Sequence, residues 1–185
     1  MDIHTPEKYE LKEQGFSRKT RLQLYRLIDV RDYHKHIKAK EDFIEQGVDI
    51  LPVMHKLVTS KYKVIRKESI KIIRGIAHKS SIPVAIKMLE DPESDIRWIA
   101  AEALINIGRI SIKPVLKALV FNGESYYVRQ GVHHVLRALI RKEDGRELKQ
   151  LLKVIRHGSD IPETISIKAA LALEKEEASE KENIF

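Results

Sequence analysis

The chain contains no cysteine among its 185 residues. That excludes a disulfide framework, a thiolate metal site and a cysteine nucleophile. No run approaches 18 apolar residues, so no segment reads as a membrane span. The opening stretch MDIHTPEKYELKEQ lacks the apolar centre of a signal peptide. These absences make the cytoplasm the expected location and leave no membrane among the expected partners. No glycine-rich phosphate loop and no Gly-x-Ser-x-Gly elbow occurs, and the sequence implies no cofactor and no catalytic residue. Metal binding also lacks a ligand set. His34 and His36, and likewise the adjacent His133 and His134, diverge around a helix, while Asp32 and His36 supply only two ligands where zinc needs more. Aromatic residues make up only 6% of the chain, and Trp98 is its one tryptophan.

What is present is charge and helical periodicity. Apolar residues are 43% and charged residues 33% of the chain, which suits an all-helical protein with charged outer faces. The formal net charge of +7 is unevenly spread. Residues 1–60 carry 11 Lys/Arg and 10 Asp/Glu, residues 61–157 carry 20 and 10, and residues 158–185 carry 3 and 7. A basic body with an acidic end predicts attraction to an anionic partner or, more simply, a lysine-rich solvated surface.

The stretch Asp91 to Gly108, DPESDIRWIAAEALINIG, shows the recurring unit. Asp91-Pro92 makes a turn, Ser94 is placed as an N-cap, and Asp95 puts negative charge in the first helical turn. Ile96, Ala100, Ala103, Leu104 and Ile107 fall on one helical face, and Gly108 stops the helix. The same offsets recur at Ile65, Ser69, Ile72, Ile73 and Ile76, and at Val128, Val132, Val135, Leu136 and Leu139. A fourth set runs Ile165, Ala169, Ala172, Leu173 and Glu176. Each set follows a short amphipathic segment: Asp49–Val58, Ser81–Glu90, Ser111–Val120 and Gly145–Ile155. In the first three segments Pro52, Pro83 and Pro114 stand 31 residues apart, in the first turn where a missing amide costs nothing. Helix pairs repeating at 31 to 37 residues predict an all-α fold, an α-solenoid of about four pairs in a superhelical stack. The expected organisation is capping helices over residues 1–47, the repeat array over 48–175, and an acidic end over 176–185 that is either a fraying helix or disordered. Thr5-Pro6 and Gly15 bracket a first capping helix. A second spans about residues 18–30 and a third about 32–46, with Gly47 as its stop.

The run Asp91-Pro92, Asp95-Ile96-Arg97, Ala100, Ala103-Leu104 and Gly108 resembles the HEAT-like repeat, in particular the short type named after phycobilisome lyases. The resemblance covers about residues 48 to 175. It implies that a turn aspartate and an arginine six residues on pair between neighbouring repeats, the places held by Asp91 and Arg97. The equivalent places are Ser60 and Arg66, Gly123 and Arg129, and Ser159 and Ser166. Asp91, Arg66 and Arg97 are therefore expected to be structural, while a row of arginines also suits a phosphate backbone.

In a solenoid the second helices line the concave face. The residues placed there are Lys67, Lys71 and Arg74 in the first pair, Trp98 and Glu102 in the second, and Arg129, His133, His134 and Arg137 in the third. An aromatic anchor among cations suits an acidic protein or peptide partner, with nucleic acid as the alternative on the same face. The expected function is a non-enzymatic scaffold. The enzymatic alternatives on HEAT-like repeats are a DNA glycosylase, with Glu102 as the carboxylate, and a bilin lyase. An acidic end folding back onto the basic face is a further expectation.

Overall fold

The structure is a computed structural model that describes residues 6–141, 144–157 and 162–182. Thr5 and Ser159 lie outside these. The fold is all-α and of HEAT type, with no strand among the described residues. It divides into two compact units, residues 1–76 and 77–185.

The first unit holds α1 (Pro6–Glu13), α2 (Arg18–Ile28), α3 (Tyr33–Glu45), α4 (Leu51–Leu57) and α5 (Lys63–Ile76). The charged stretch after Ile28 breaks cleanly, because Asp32 caps α3 by accepting the Lys35 amide at 3.2 Å. Ser17 caps α2 in the same way. Gly47 takes a φ of +61°, which ends α3 and turns the chain into α4. α3 packs beside α5, and α4 packs onto α5, around Phe43, Met54, Leu57, Ile65, Ile72 and Ile73, all almost wholly buried. Burying each such side chain contributes about 1.5–3 kcal/mol.

The second unit holds α6 (Ile82–Met88), α7 (Ser94–Ile107), α8 (Ile112–Asn122), α9 (Tyr126–Leu139), α10 (Arg146–His157) and α11 (Pro162–Glu182). Pro52 and Pro83 sit at the openings of α4 and α6, and Pro114 in the first turn of α8. The repeat stripes are buried, with Ala100, Ala103, Leu104, Val132, Val135 and Leu136 fully enclosed. Ala100, Ala101 and Ala103, all buried, allow the close packing of α7 on α6 and α9. Gly108 ends α7 with φ +93°. The expected N-cap at Ser94 is corrected: Ser94 is the first helical residue and Glu93 precedes it as the cap. The Asp91 carboxylate accepts the Glu93 amide at 2.9 Å, an Asx turn across Pro92 that leaves Ser94 no capping position.

The fourth pair departs from the expected order. α6, α8 and α11 form one layer, and α7, α9 and α10 form the other. α11 packs along α8, and α10 packs against α9, so the last pair enters with its helices exchanged. Ile165, Ala169 and Ala172 are buried as the stripe requires, but they face the first-helix layer. The Ser166 hydroxyl donates to the Leu119 carbonyl at 3.2 Å, fixing the start of α11 at the end of α8. The link into α10 lacks the proline and, in its described residues, the short 3-10 turn that open α4, α6 and α8. Arg109, at the start of α8, instead clasps this link. Its guanidinium donates to the Leu139 carbonyl at 2.9 Å and makes a two-point pair with Asp144 at 2.9 and 2.8 Å. Arg109 holds the buried Asp144 carboxyl below its ordinary value, chiefly through this hydrogen bonding. α11 runs on through the acidic stretch to Glu182, so the described part of that end is helical. Glu177 lies 3.6 Å from Lys117 of α8, in the layer away from α9 and α10.

Candidate functional site on the second-helix layer

The arginine row has one geometry. Nη1 of Arg66 donates to the carbonyls of Ser60 and Lys61 at 3.1 and 3.2 Å. Nη1 of Arg97 donates to those of Asp91 and Pro92 at 2.7 and 2.9 Å. Nη1 of Arg129 donates to those of Gly123 and Glu124 at 2.8 Å each. Each arginine thus staples the turn six and five residues before it, where the end of a first helix leaves carbonyls without amide partners. A backbone carbonyl is available whatever the turn residue is, which explains why the arginines persist where the turn aspartate is Ser60 or Gly123. These bonds lie inside each arginine's own pair.

In the first unit, Lys67 and Lys71 come together at a cavity of about 500 Å³ that His36, Tyr62 and Glu68 also line. Lys71 Nζ is bound to the buried Glu68 carboxylate at 2.6 Å. Glu68 also faces His36 Nε2 at 3.6 Å, and His36 Nδ1 contacts the Leu27 carbonyl at 2.6 Å. Lys71 is therefore engaged in a buried charge network. Arg74 lies in the last turn of α5 and is half-buried.

In the second unit, α7 and α9 enclose a groove of about 340 Å³. Its floor includes Ala101 and Gly131, both small. A Cβ on Gly131 would stand 2.7 Å from Leu89, so glycine is what lets α9 approach this closely. The walls carry Trp98, Tyr126, Tyr127, His133 and His134, with Arg97 at one side. Trp98 is 57% exposed, Tyr126 61% and Tyr127 45%, a concentration of open aromatic surface in a chain poor in rings. Trp98 stacks on His134 with centroids 4.3 Å apart, and His134 Nε2 meets Glu102 Oε1 at 2.7 Å. The Arg97 guanidinium lies 3.9 Å from the centre of the Tyr127 ring, a cation–π contact. Burial lowers the His133 pKa, and the nearby Arg137, Arg156 and His134 lower it further.

Of the residues expected at the binding face, the structure therefore gathers Trp98, Glu102, His133 and His134, with Arg137 close by. Arg129 is committed to its carbonyl staple, and its guanidinium stands 5.9 Å from the Tyr126 ring. Glu102 is about 30% exposed, and its Oε1 lies 2.7 Å from His134 Nε2. Tyr126 and Tyr127 are members that sequence reasoning missed. Their signal was readable: two tyrosines precede Val128 at first-turn places outside the buried stripe, where no core needs them.

Residues 50–137 match a family model described as HEAT repeats, and this part of the chain is a HEAT-like repeat array. No curated protein and no solved structure matches it. HEAT repeats form helical scaffolds that generally mediate protein interactions. Among the described residues no group of three or more His, Asp or Glu side chains is arranged to hold a metal ion. No helix among them is long and apolar enough to cross a membrane.

Proposed function

We propose that this protein is a non-enzymatic HEAT-repeat scaffold that binds an acidic segment of a protein partner in the α7–α9 groove. The observation that carries the reading is the exposed ring cluster of Trp98, Tyr126 and Tyr127 set among Arg97, His133 and His134. Large exposed aromatic surface in a groove costs hydration free energy unless something covers it, and rigid rings make good interface anchors. Arg97 at the groove and Arg137 beside His133 favour an anionic partner and make association salt-dependent.

The test is binding of an acidic polypeptide at low and high salt, read by the emission of Trp98, the chain's single tryptophan. Binding should shift that emission and weaken as salt rises. Followed by anisotropy of a labelled peptide, Trp98→Ala together with Arg137→Ala should abolish binding, and binding that survives both would show that the surface is elsewhere. Arg129 is a poor probe, since its removal also frees two turn carbonyls. Nucleic acid is the second reading, favoured by the coincidence of open aromatic rings and cations. An oligonucleotide that is not retained even at low salt would dispose of it.

A further inference from the structure

The exchange of the last pair places α10 beside α9, in the layer that carries the groove. The amphipathic pattern of α10 then has a consequence. Leu148, Leu151 and Ile155 are buried. Arg146, Lys149, Lys153 and Arg156 are exposed, at intervals of three, four and three, so they form one stripe along the opposite side of the helix. The stripe spans about 15 Å at 1.5 Å per residue. It adjoins the groove through His133, which lines the groove and lies close enough to Arg156 and Arg137 to feel both charges. Helices α7, α9 and α10 together hold seven Lys/Arg against three Asp/Glu. In the other layer, α6, α8 and α11 through Ala178 hold five Lys against four Glu.

We propose that the cationic stripe of α10 is the second half of the partner site, and that it fits an acidic peptide segment carrying one aromatic residue. This rests on the groove reading above and extends it. The aromatic side chain enters between the rings over the small floor of Ala101 and Gly131, and the acidic residues run out along Lys153 and Arg156. The rings favour a peptide over a nucleic acid. A strand of successive bases needs a row of free ring faces. Here the rings form one cluster of side-chain size, where Trp98 has a face against His134 and Tyr127 has a face against Arg97. Within the described part of the acidic end, Glu177 is paired with Lys117 in the other layer.

The experiment uses the full chain and a synthetic peptide of several glutamates around one phenylalanine. Affinity is read by anisotropy of the labelled peptide, and groove occupancy by Trp98 emission. Lys153→Gln with Arg156→Gln should weaken binding about tenfold, whereas Lys87→Gln with Lys117→Gln, the same charge change in the other layer, should leave it within about twofold. Replacing the peptide's phenylalanine with alanine should weaken binding and remove the Trp98 response. If the peptide moves Trp98 emission but the α10 pair is silent, the stripe has no role and the groove reading stands. If binding depends on Lys153 and Arg156 while Trp98 never responds, the groove reading falls. An oligonucleotide of equal charge that binds more tightly than the peptide overturns the choice of a protein partner. Circular dichroism of both double variants checks that the helices are intact.

Discussion

Substituting Arg129 by lysine separates two roles that the sequence left superimposed. Lysine keeps the positive charge but cannot reproduce the fork, in which Nη1 donates to the Gly123 and Glu124 carbonyls at 2.8 Å each. The bond to Gly123 is part-buried, and that to Glu124 is exposed. A hydrogen bond from a charged donor contributes about 1.5–3 kcal/mol, and an exposed one far less, so the loss should be about 2 kcal/mol. For a unit of this size that lowers the melting temperature by about 8 °C. The assay is thermal unfolding by circular dichroism at neutral pH, alongside binding of an acidic peptide. The staple account requires a lower melting temperature with peptide affinity nearly unchanged, because the charge remains. An unchanged melting temperature with lost affinity would refute it and return Arg129 to the binding surface. Arg66→Lys should behave in the same way in the first unit, since its guanidinium makes the same pair of carbonyl bonds.

Other outcomes follow from the same geometry. Asp144→Asn removes the two-point pair with Arg109 and should cost about 1–3 kcal/mol, seen as a lower urea midpoint. Because the folded Asp144 pKa is depressed, wild type holds this increment above the ordinary carboxyl value and loses it as pH falls through the folded one. The wild-type and Asn midpoints should therefore converge in strong acid, and a gap that persists there would exclude the ion pair as its cause. His133 should titrate below the ordinary imidazole value by NMR, and Arg137→Ala with Arg156→Ala should move its midpoint upward without restoring it, since burial is the larger cause. Its unfolded form takes up a proton first, so His133 makes the protein less stable as pH drops through the ordinary imidazole value. Gly131→Ala brings a Cβ to within 2.7 Å of the buried Leu89 side chain, and an overpacking cost of about 1–3 kcal/mol, offset by about 0.5–1 kcal/mol of helix propensity, should lower stability. Trp98→Ala, at an exposed position, should change the unfolding free energy from urea titration by no more than about 0.5 kcal/mol.

The helix pairs were legible in the sequence because burial imposes a period. A helix can hide only one stripe, so the offsets of Ile96, Ala100, Ala103 and Leu104 had to recur wherever a second helix packs in the same way. The prolines at 52, 83 and 114 and the stop at Gly108 were equally readable, being local consequences of a missing amide and a positive φ. Part of the site could be read as well: Trp98 lies off the stripe, and a large ring that the core does not need has to be exposed or partnered. What could not be read was which layer a buried stripe would face. Ile165, Ala169 and Ala172 match the offsets of a second helix, yet α11 packs on α8, because periodicity says that a face is buried and not against what. The missing fourth proline and the lengthened spacing before Ile165 were traces of that exchange, with meaning only once Arg109 is seen clasping Asp144 across 35 residues.

The sequence by itself determined the helices, their pairing, their stops and the excess of positive charge, all set by contacts within a turn or two of chain. Tertiary structure alone decided where the charge went. The exchanged last pair put the cations of α10 beside His133 and the glutamates of α11 beside Lys117. It also closed Trp98, His134 and Glu102 into one stack across 32 residues of sequence. Such placements depend on long-range packing that no local pattern records, because the same amphipathic helix satisfies its buried face equally well in either layer.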